Sequence, residues 1–101
     1  MSFRLFPSKR FLKALKKYQR SGGSHVIEAA KEVVQLLTAY DSRAVYVLHQ
    51  RWRDHPLKGS KKGIRELHLG MDDLLLYSVD ERSSSIELMD IVSHERLRKR
   101  K

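Results

Sequence analysis

Residues 63–92 have the sequence GIRELHLGMDDLLLYSVDERSSSIELMDIV, in which three apolar segments are separated by short polar stretches. Apolar and polar side chains alternate over Gly63–Leu69, which is typical of a strand with one buried face. Two further strands are predicted at Leu74–Val79 and Ser85–Val92, on either side of a turn at Asp80–Ser84. Because such short connections join neighbouring antiparallel strands, this segment predicts an antiparallel meander.

The N-terminal part predicts a strand followed by two helices. Phe3–Phe6 is a short apolar segment that ends at a proline, and residues 8–19 form an amphipathic pattern that begins with a serine suited to the N-cap. A Ser-Gly-Gly break follows, and Ser24 is the expected N-cap of a second amphipathic helix that ends near residue 39. Two helices joined by a short glycine-rich turn indicate a helical hairpin.

The overall class predicted from this order is α+β. Residues 40–61 leave two interpretations open, because Val45–Leu48 either extends the second helix or forms an extended arm before the loop marked by Pro56. The order β-α-α-β-β-β keeps helices and strands apart, as in α+β domains. We expect one domain over residues 1–101, with the helical hairpin on one face of an antiparallel sheet of three or four strands. The other face is expected to be open to solvent or a ligand.

Composition excludes several classes of protein. The 101 residues match the size of one ordinary domain, and the absence of cysteine excludes a disulfide scaffold and suits a reducing cytoplasm. No apolar run is long enough for a membrane span or a signal peptide. The formal net charge of +9 predicts a nucleic acid, an anionic membrane surface or an acidic protein as the partner.

The positive charge is concentrated in three blocks. Residues 1–23 carry +7, residues 51–65 carry +5 and the basic tail at 96–101 carries +5. Residues 66–95 carry −7 between the last two blocks, and residues 24–50 carry −1. Three basic blocks in one small domain favour a polyanionic partner over an evenly charged solvated surface.

Histidines are the candidate catalytic groups. Histidine titrates near neutral pH, so it can act as the base or the acid in a reaction that cleaves RNA without a metal, while lysine and arginine stabilise the phosphate. Strand alternation places His68 away from the helices, on the face of Ile64 and Glu66. A metal site built from the proposed catalytic residues is the competing interpretation, although these residues lack a tight ligand spacing. The candidates are His55, His68, Asp72 and His94, whereas His25 and His49 are expected to be surface or partly packed histidines.

Three motifs carry a resemblance to a known family. They are DHPLKG at 54–59, RELH at 65–68 followed by DDLLLY at 72–77, and Ser93-His94. In this order and spacing they resemble the YafQ-type toxins of the RelE/ParE superfamily. The resemblance departs from the family pattern at Asp73 and Arg98, where an aromatic residue is usual.

The resemblance implies a compact RelE fold and the toxin half of a toxin–antitoxin pair. It also implies a ribosome-dependent mRNA endoribonuclease without a cofactor, in which His55, His68, Asp72 and His94 are catalytic. The expected partners are an acidic antitoxin, the ribosome and mRNA. The open alternatives are a non-enzymatic toxin that binds gyrase, as in the ParE branch, and an inactive RNA-binding domain. The cations expected to contact RNA are Lys13, Lys16, Lys17, Lys61, Lys62, Arg65 and Arg98.

Overall fold

A computed structural model describes residues 2–59 and 63–93, and these form three helices and a five-stranded sheet. Lys61, Lys62, His94 and Arg98 lie outside the described residues. Within the described part of the chain, no helix is both long and apolar enough to cross a bilayer. In chain order the elements are β1 (Arg4–Pro7), α1 (Lys9–Arg20), α2 (Ser24–Ala39), α3 (Ser42–Trp52), β2 (His55–Pro56), β3 (Ile64–His68), β4 (Asp73–Asp80) and β5 (Ser85–Ser93).

The sheet confirms the predicted α+β class, the antiparallel meander and the N-terminal strand, which lies at one edge as β1, and it adds the short strand β2 at the other edge. The strand order is β1-β5-β4-β3-β2. The pairs among β2, β3, β4 and β5 are antiparallel, whereas β1 pairs with β5 in parallel, so the sheet is mixed rather than purely antiparallel. A parallel pair requires a long crossover, which the helices between β1 and β5 supply along with the rest of the meander.

Helix α1 begins as predicted, and α2 begins one residue earlier than the sequence suggested. The Ser8 side chain accepts a hydrogen bond from the Phe11 backbone N–H, and its hydroxyl donates to the Met89 carbonyl of β5 at 2.6 Å. Ser8 therefore caps α1 and also ties the start of this helix to the sheet. The N-cap of α2 is Gly23 and not Ser24, and among the described residues no side chain makes an N-cap hydrogen bond to that helix.

Residues 40–52 form neither an extension of α2 nor an extended arm. Tyr40 adopts a left-handed conformation with φ 36° and ends α2, and the Asp41 side chain then accepts a hydrogen bond from the Ala44 N–H at 2.8 Å. Asp41 thereby caps a separate helix, α3. The buried residues of α3 recur every four positions, at Ala44, Leu48 and Trp52, and this spacing gives the helix one apolar stripe.

The main core lies between the helices and one face of the sheet. Leu67, Leu75 and Ile91 are register partners on the covered face and are fully or almost fully buried. The residues next to them along the same strands are His68, Leu74 and Val92, which are register partners on the other face, as expected from alternation. That other face is not wholly open, because Leu74, Leu76 and Val92 are buried in a second, smaller cluster.

Candidate functional site

A buried polar anchor fixes the corner between α3 and β2, directly before His55. Asp54 is 3% exposed, and its carboxylate accepts a hydrogen bond from the Tyr77 hydroxyl at 2.7 Å. The Arg65 Nε lies 3.3 and 3.4 Å from the two carboxylate oxygens of Asp54. Burial, followed by the hydrogen bond to Asp54, raises the pKa of Tyr77 above its ordinary value, so the phenol remains a donor at neutral pH. The anchor connects β2, β3 and β4 and thereby holds the backbone that carries His55.

His55 and His68 lie side by side on the sheet face that the helices leave uncovered. The β2–β3 register places His55 opposite Glu66, two residues before His68, so all three side chains share one face. The ring centroids of the two histidines are 6.0 Å apart. His55 Nε2 lies 2.9 Å from Glu66 Oε1, and the His55 side chain is 44% exposed. The structure therefore combines a half-exposed imidazole, a second imidazole and one nearly buried carboxylate on this face.

Asp72 lies at the end of the same sheet, in the exposed connection between β3 and β4. The backbone N–H of Leu69 donates to the Asp73 carbonyl at 2.8 Å and closes this connection. Asp73, the next residue, accepts a hydrogen bond from the Tyr18 hydroxyl of α1 at 2.5 Å and pairs with Ser93 across β4 and β5. Ser93 directly precedes His94 in the sequence.

The predicted RNA-binding lysines of α1 form an exposed cationic surface. Lys13, Lys16 and Lys17 are all exposed, and α1 contains no acidic residue. A depression of about 280 Å³ lies between α1 and the end of β5, and both Lys13 and Lys17 line it. Because Ser93 also lines this depression, the cationic surface adjoins the end of the sheet from which residue 94 continues.

Arg65 is placed differently from the other predicted RNA contacts. Its register partner is Tyr77, so it lies on the face opposite that of His68 and Glu66. Its Nε is engaged by Asp54, and its side chain is 31% exposed. Arg65 therefore contacts Asp54 of the buried anchor, directly before His55.

Sequence reasoning singled out the histidines but gave no role to Glu66, Asp54 or Tyr77. The placement of Glu66 on the face of His68 follows from strand alternation, so its position was accessible from sequence. Its contact with His55 depends on the pairing of β2 with β3, a two-residue pairing that no pattern indicates. The Asp54–Tyr77 bond spans 23 residues and likewise depends on the tertiary fold.

The described residues do not form a complete ligand set for the metal site that the sequence left open as an alternative. Across residues 2–59 and 63–93, no group of three His, Asp or Glu side chains is placed to hold one metal ion. Within the group of His55, Glu66 and His68, the first two are in hydrogen-bond contact, and the ring of His68 is tilted by 40° relative to that of His55. The fourth predicted residue, His94, is outside this test.

Comparisons with known proteins agree with this fold. Among solved structures, the chain is similar to a metal-bound toxin from Helicobacter pylori, with 32% sequence identity, a TM-score of 0.79, and coverage of 94% of this chain and 98% of that chain. It is also similar to the E. coli DinJ–YafQ toxin–antitoxin complex, with 24% identity, a TM-score of 0.78, and coverage of 96% and 98%.

An archaeal RelE–RelB complex from Pyrococcus horikoshii OT3 has the same fold, with 20% identity, a TM-score of 0.63, and coverage of 95% of this chain and 99% of that chain. The comparison with curated protein sequences gave no match. The family model described as the bacterial toxin of type II toxin–antitoxin systems, YafQ, matches residues 3–99. Since this match spans nearly the whole sequence, the chain belongs to the YafQ family of type II toxin–antitoxin toxins.

Proposed function

We propose that this toxin is an endoribonuclease that cuts mRNA on the ribosome in the cytoplasm, by histidine acid–base catalysis, and so stops translation. The observation that carries the proposal is the pair His55 and His68, whose rings lie 6.0 Å apart on the uncovered face of the sheet. An imidazole can take up and release a proton, so either ring of this pair can act as the base that the reaction requires. Membership of a toxin family with RelE-like structural relatives supports the same activity.

The proposed reaction begins with the 2′-hydroxyl of the nucleotide on the 5′ side of the cut. A histidine base, His55 or His68, takes the hydroxyl proton while the 2′-oxygen attacks the phosphorus. The bond from phosphorus to the 5′-oxygen of the next nucleotide breaks, and an acid, His94, gives that oxygen a proton. The products are a 2′,3′-cyclic phosphate and a 5′-hydroxyl, and no atom enters from outside the RNA and the two histidines.

Asp72 is proposed to orient a histidine or to share in proton transfer. Its support is local: Asp72 is exposed in the connection between β3 and β4, and the adjacent Asp73 pairs in register with Ser93, the residue before His94. The same end of the sheet thus carries the neighbours of two of the four proposed catalytic residues.

The α1 lysines are proposed to bind ribosomal RNA through its phosphates. Lys13, Lys16 and Lys17 project from one exposed helix without a competing carboxylate on that helix. Such contacts position a protein on RNA without reading its sequence and weaken as salt rises. We propose the same phosphate-binding role for Lys61, Lys62 and Arg98. Arg65 can bind a phosphate only through its two terminal nitrogens, because its Nε contacts Asp54.

An acidic antitoxin is the proposed regulatory partner. The E. coli and P. horikoshii relatives were solved as complexes with DinJ and RelB, respectively. An acidic, amphipathic antitoxin segment that covers α1 or the histidine face would neutralise the surface that binds RNA. Titration of the toxin with its antitoxin, in the presence of ribosomes and mRNA, tests this proposal. Loss of cleavage when one antitoxin binding segment is present per toxin supports it, and unaffected cleavage refutes it.

The experiment that tests the nuclease is cleavage of mRNA on purified, programmed ribosomes. The parent protein should give a new 5′-hydroxyl end and a 2′,3′-cyclic phosphate, and His68→Ala or His94→Ala should lose at least about 100-fold in rate, because acid–base groups contribute about 10²–10⁴-fold. His49→Ala is the matched control, because His49 is exposed on α3. Equal cleavage by the variants and the parent would exclude histidine catalysis.

Two further outcomes would favour the alternatives. Inhibition of gyrase in a supercoiling assay, with no RNA cleavage, would support a ParE-like toxin. Salt-sensitive RNA binding without cleavage on translating ribosomes would support an inactive RNA-binding domain.

A further inference from the structure

Glu66 is a nearly buried carboxylate that faces the uncovered side of the sheet, beside the two histidines. The Glu66 residue is 8% exposed, which is rare for an ionisable side chain without a partner. One carboxylate oxygen, Oε1, lies 2.9 Å from His55 Nε2. The other, Oε2, is buried and has no hydrogen-bond partner among the described residues. The cost of burying this carboxylate is therefore offset chiefly through its contact with His55.

This contact assigns the hydrogens of the His55 ring. An ionised carboxylate only accepts hydrogen bonds, so His55 Nε2 must carry a hydrogen that it donates to Glu66. The remaining ring nitrogen, Nδ1, lies 3.0 Å from the Pro56 carbonyl oxygen, which also only accepts, so this contact is a hydrogen bond when Nδ1 carries a hydrogen too, as in the imidazolium form. Nδ1 can therefore release or regain its hydrogen while the bond to Glu66 stays intact, and only the contact with the Pro56 carbonyl is lost when it does so.

We propose that Glu66 is a positioning residue, a role that rests on the nuclease function proposed above. Glu66 holds the His55 ring with Nε2 protonated, and Nδ1 is then the nitrogen that exchanges a proton with RNA. A carboxylate behind an imidazole fixes its tautomer and orientation and stabilises the imidazolium, as in other acid–base sites. Glu66 does not contact RNA in this arrangement, because the His55 ring lies between its Oε1 and the exposed side.

Strand pairing and the contacts of Asp54 hold the backbone on both sides of the His55–Glu66 contact. Glu66 is held by the β3–β4 ladder opposite Leu76, and His55 is held by pairing with Glu66 in register. Asp54, the residue before His55, is fixed by Tyr77 and Arg65 on the opposite face. The backbone on both sides of the contact is therefore anchored, and the ring is placed by its contacts with Glu66 Oε1 and the Pro56 carbonyl.

The test compares Glu66→Leu and Glu66→Gln with Glu87→Gln, a matched control at an exposed glutamate of β5. Single-turnover cleavage on saturating ribosomes should fall about 10- to 100-fold in both Glu66 variants, since a hydrogen bond to a charged group contributes at that level. Ribosome affinity should change less than about 2-fold, because Glu66 lies behind His55 and away from RNA. The control should match the parent in both measurements.

A second readout does not depend on catalysis. In the parent protein, ring N–H spectra should show a His55 Nε2 hydrogen that exchanges slowly with water, and Glu66→Leu should lose this resonance. An unchanged His55 resonance in Glu66→Leu, or cleavage within about 2-fold of the parent, would overturn the positioning role. A parent protein that shows the resonance but cleaves no RNA would instead refute the nuclease function and leave the His55–Glu66 bond intact. Should Glu66→Leu fail to fold, Glu66→Gln keeps the polar side chain and carries the cleavage test.

Discussion

Removing the Tyr77 hydroxyl should destabilise the protein, because that hydroxyl is a donor to a buried carboxylate. Tyr77 is fully buried and Asp54 is 3% exposed, and 2.7 Å separates the hydroxyl oxygen from Asp54 Oδ1. A hydrogen bond to a charged group contributes about 1.5–3 kcal/mol, and Tyr77→Phe leaves the ring and its packing in place. We expect the free energy of unfolding to fall by about 2 kcal/mol, which lowers the Tm by roughly 10 °C for a domain of this size.

Urea denaturation followed by tryptophan fluorescence measures this change directly. The chain has one tryptophan, Trp52, which is buried two residues before Asp54 and therefore reports on the same corner. Tyr46→Phe is the matched control, because Tyr46 is 65% exposed on α3, and it should change the free energy of unfolding by less than about 0.5 kcal/mol. A loss below about 0.5 kcal/mol in Tyr77→Phe would refute the anchoring role of the bond.

The same hydroxyl gives stability a defined pH dependence at high pH. The pKa of Tyr77 is raised above its ordinary value of 10.0 by burial first and by Asp54 second. Below pH 10 the phenol is protonated in both the folded and the unfolded state, so the full stabilisation is present. Above pH 10 only the unfolded state ionises, so stability falls as pH rises toward the pKa of the folded state. Tyr77→Phe should remove this loss, and an identical pH profile for parent and variant would contradict the assignment.

Two further predictions concern the cap of α1 and the core. Ser8→Ala should lower the free energy of unfolding by about 1–2 kcal/mol because it removes both the cap and the bond to the Met89 carbonyl, whereas Ser24→Ala should change it by less than about 0.5 kcal/mol, as chemical denaturation would show. Leu75→Ala should cost about 2–5 kcal/mol because Leu75 is fully buried, whereas Leu12→Ala, at a 46% exposed position, should cost far less in the same assay.

Local sequence patterns predicted the parts of the fold that local interactions determine. The meander strands and α1 have the expected periodicities, and their boundaries agree with the structure to within about two residues. Helix α3 had a cap at Asp41 and an apolar stripe, but the β-branched and aromatic residues Val45–Val47 favour an extended chain equally well. The parallel pairing of β1 with β5 brings together residues about 80 positions apart, and no local pattern encodes it.

For the candidate site, too, the sequence indicated which residues to consider but not their contacts. His55 and His68 were identified from residue type and motif spacing, and strand alternation gave the correct face for His68. The sequence did not indicate the surroundings of His55, because its contact with Glu66 depends on strand pairing. The position of Asp54 likewise depends on its contacts with Tyr77 and Arg65. Pairwise side-chain contacts across strands depend on register, which hydrophobic patterning specifies only for the buried face.

The acidic segment 66–95 lies in the same small domain as the basic helix α1, and most of the described acidic side chains of that segment make contacts within the protein. Glu66 faces His55, Asp73 accepts a hydrogen bond from Tyr18, Asp80 accepts from two backbone N–H groups of its turn, and Asp90 is buried. The lysines of α1 are exposed and meet no carboxylate on their own helix. These hydrogen bonds fix the positions of the carboxylates but do not cancel their charge, so the positive potential along α1 comes from its own exposed lysines, and this favours binding of a polyanion there.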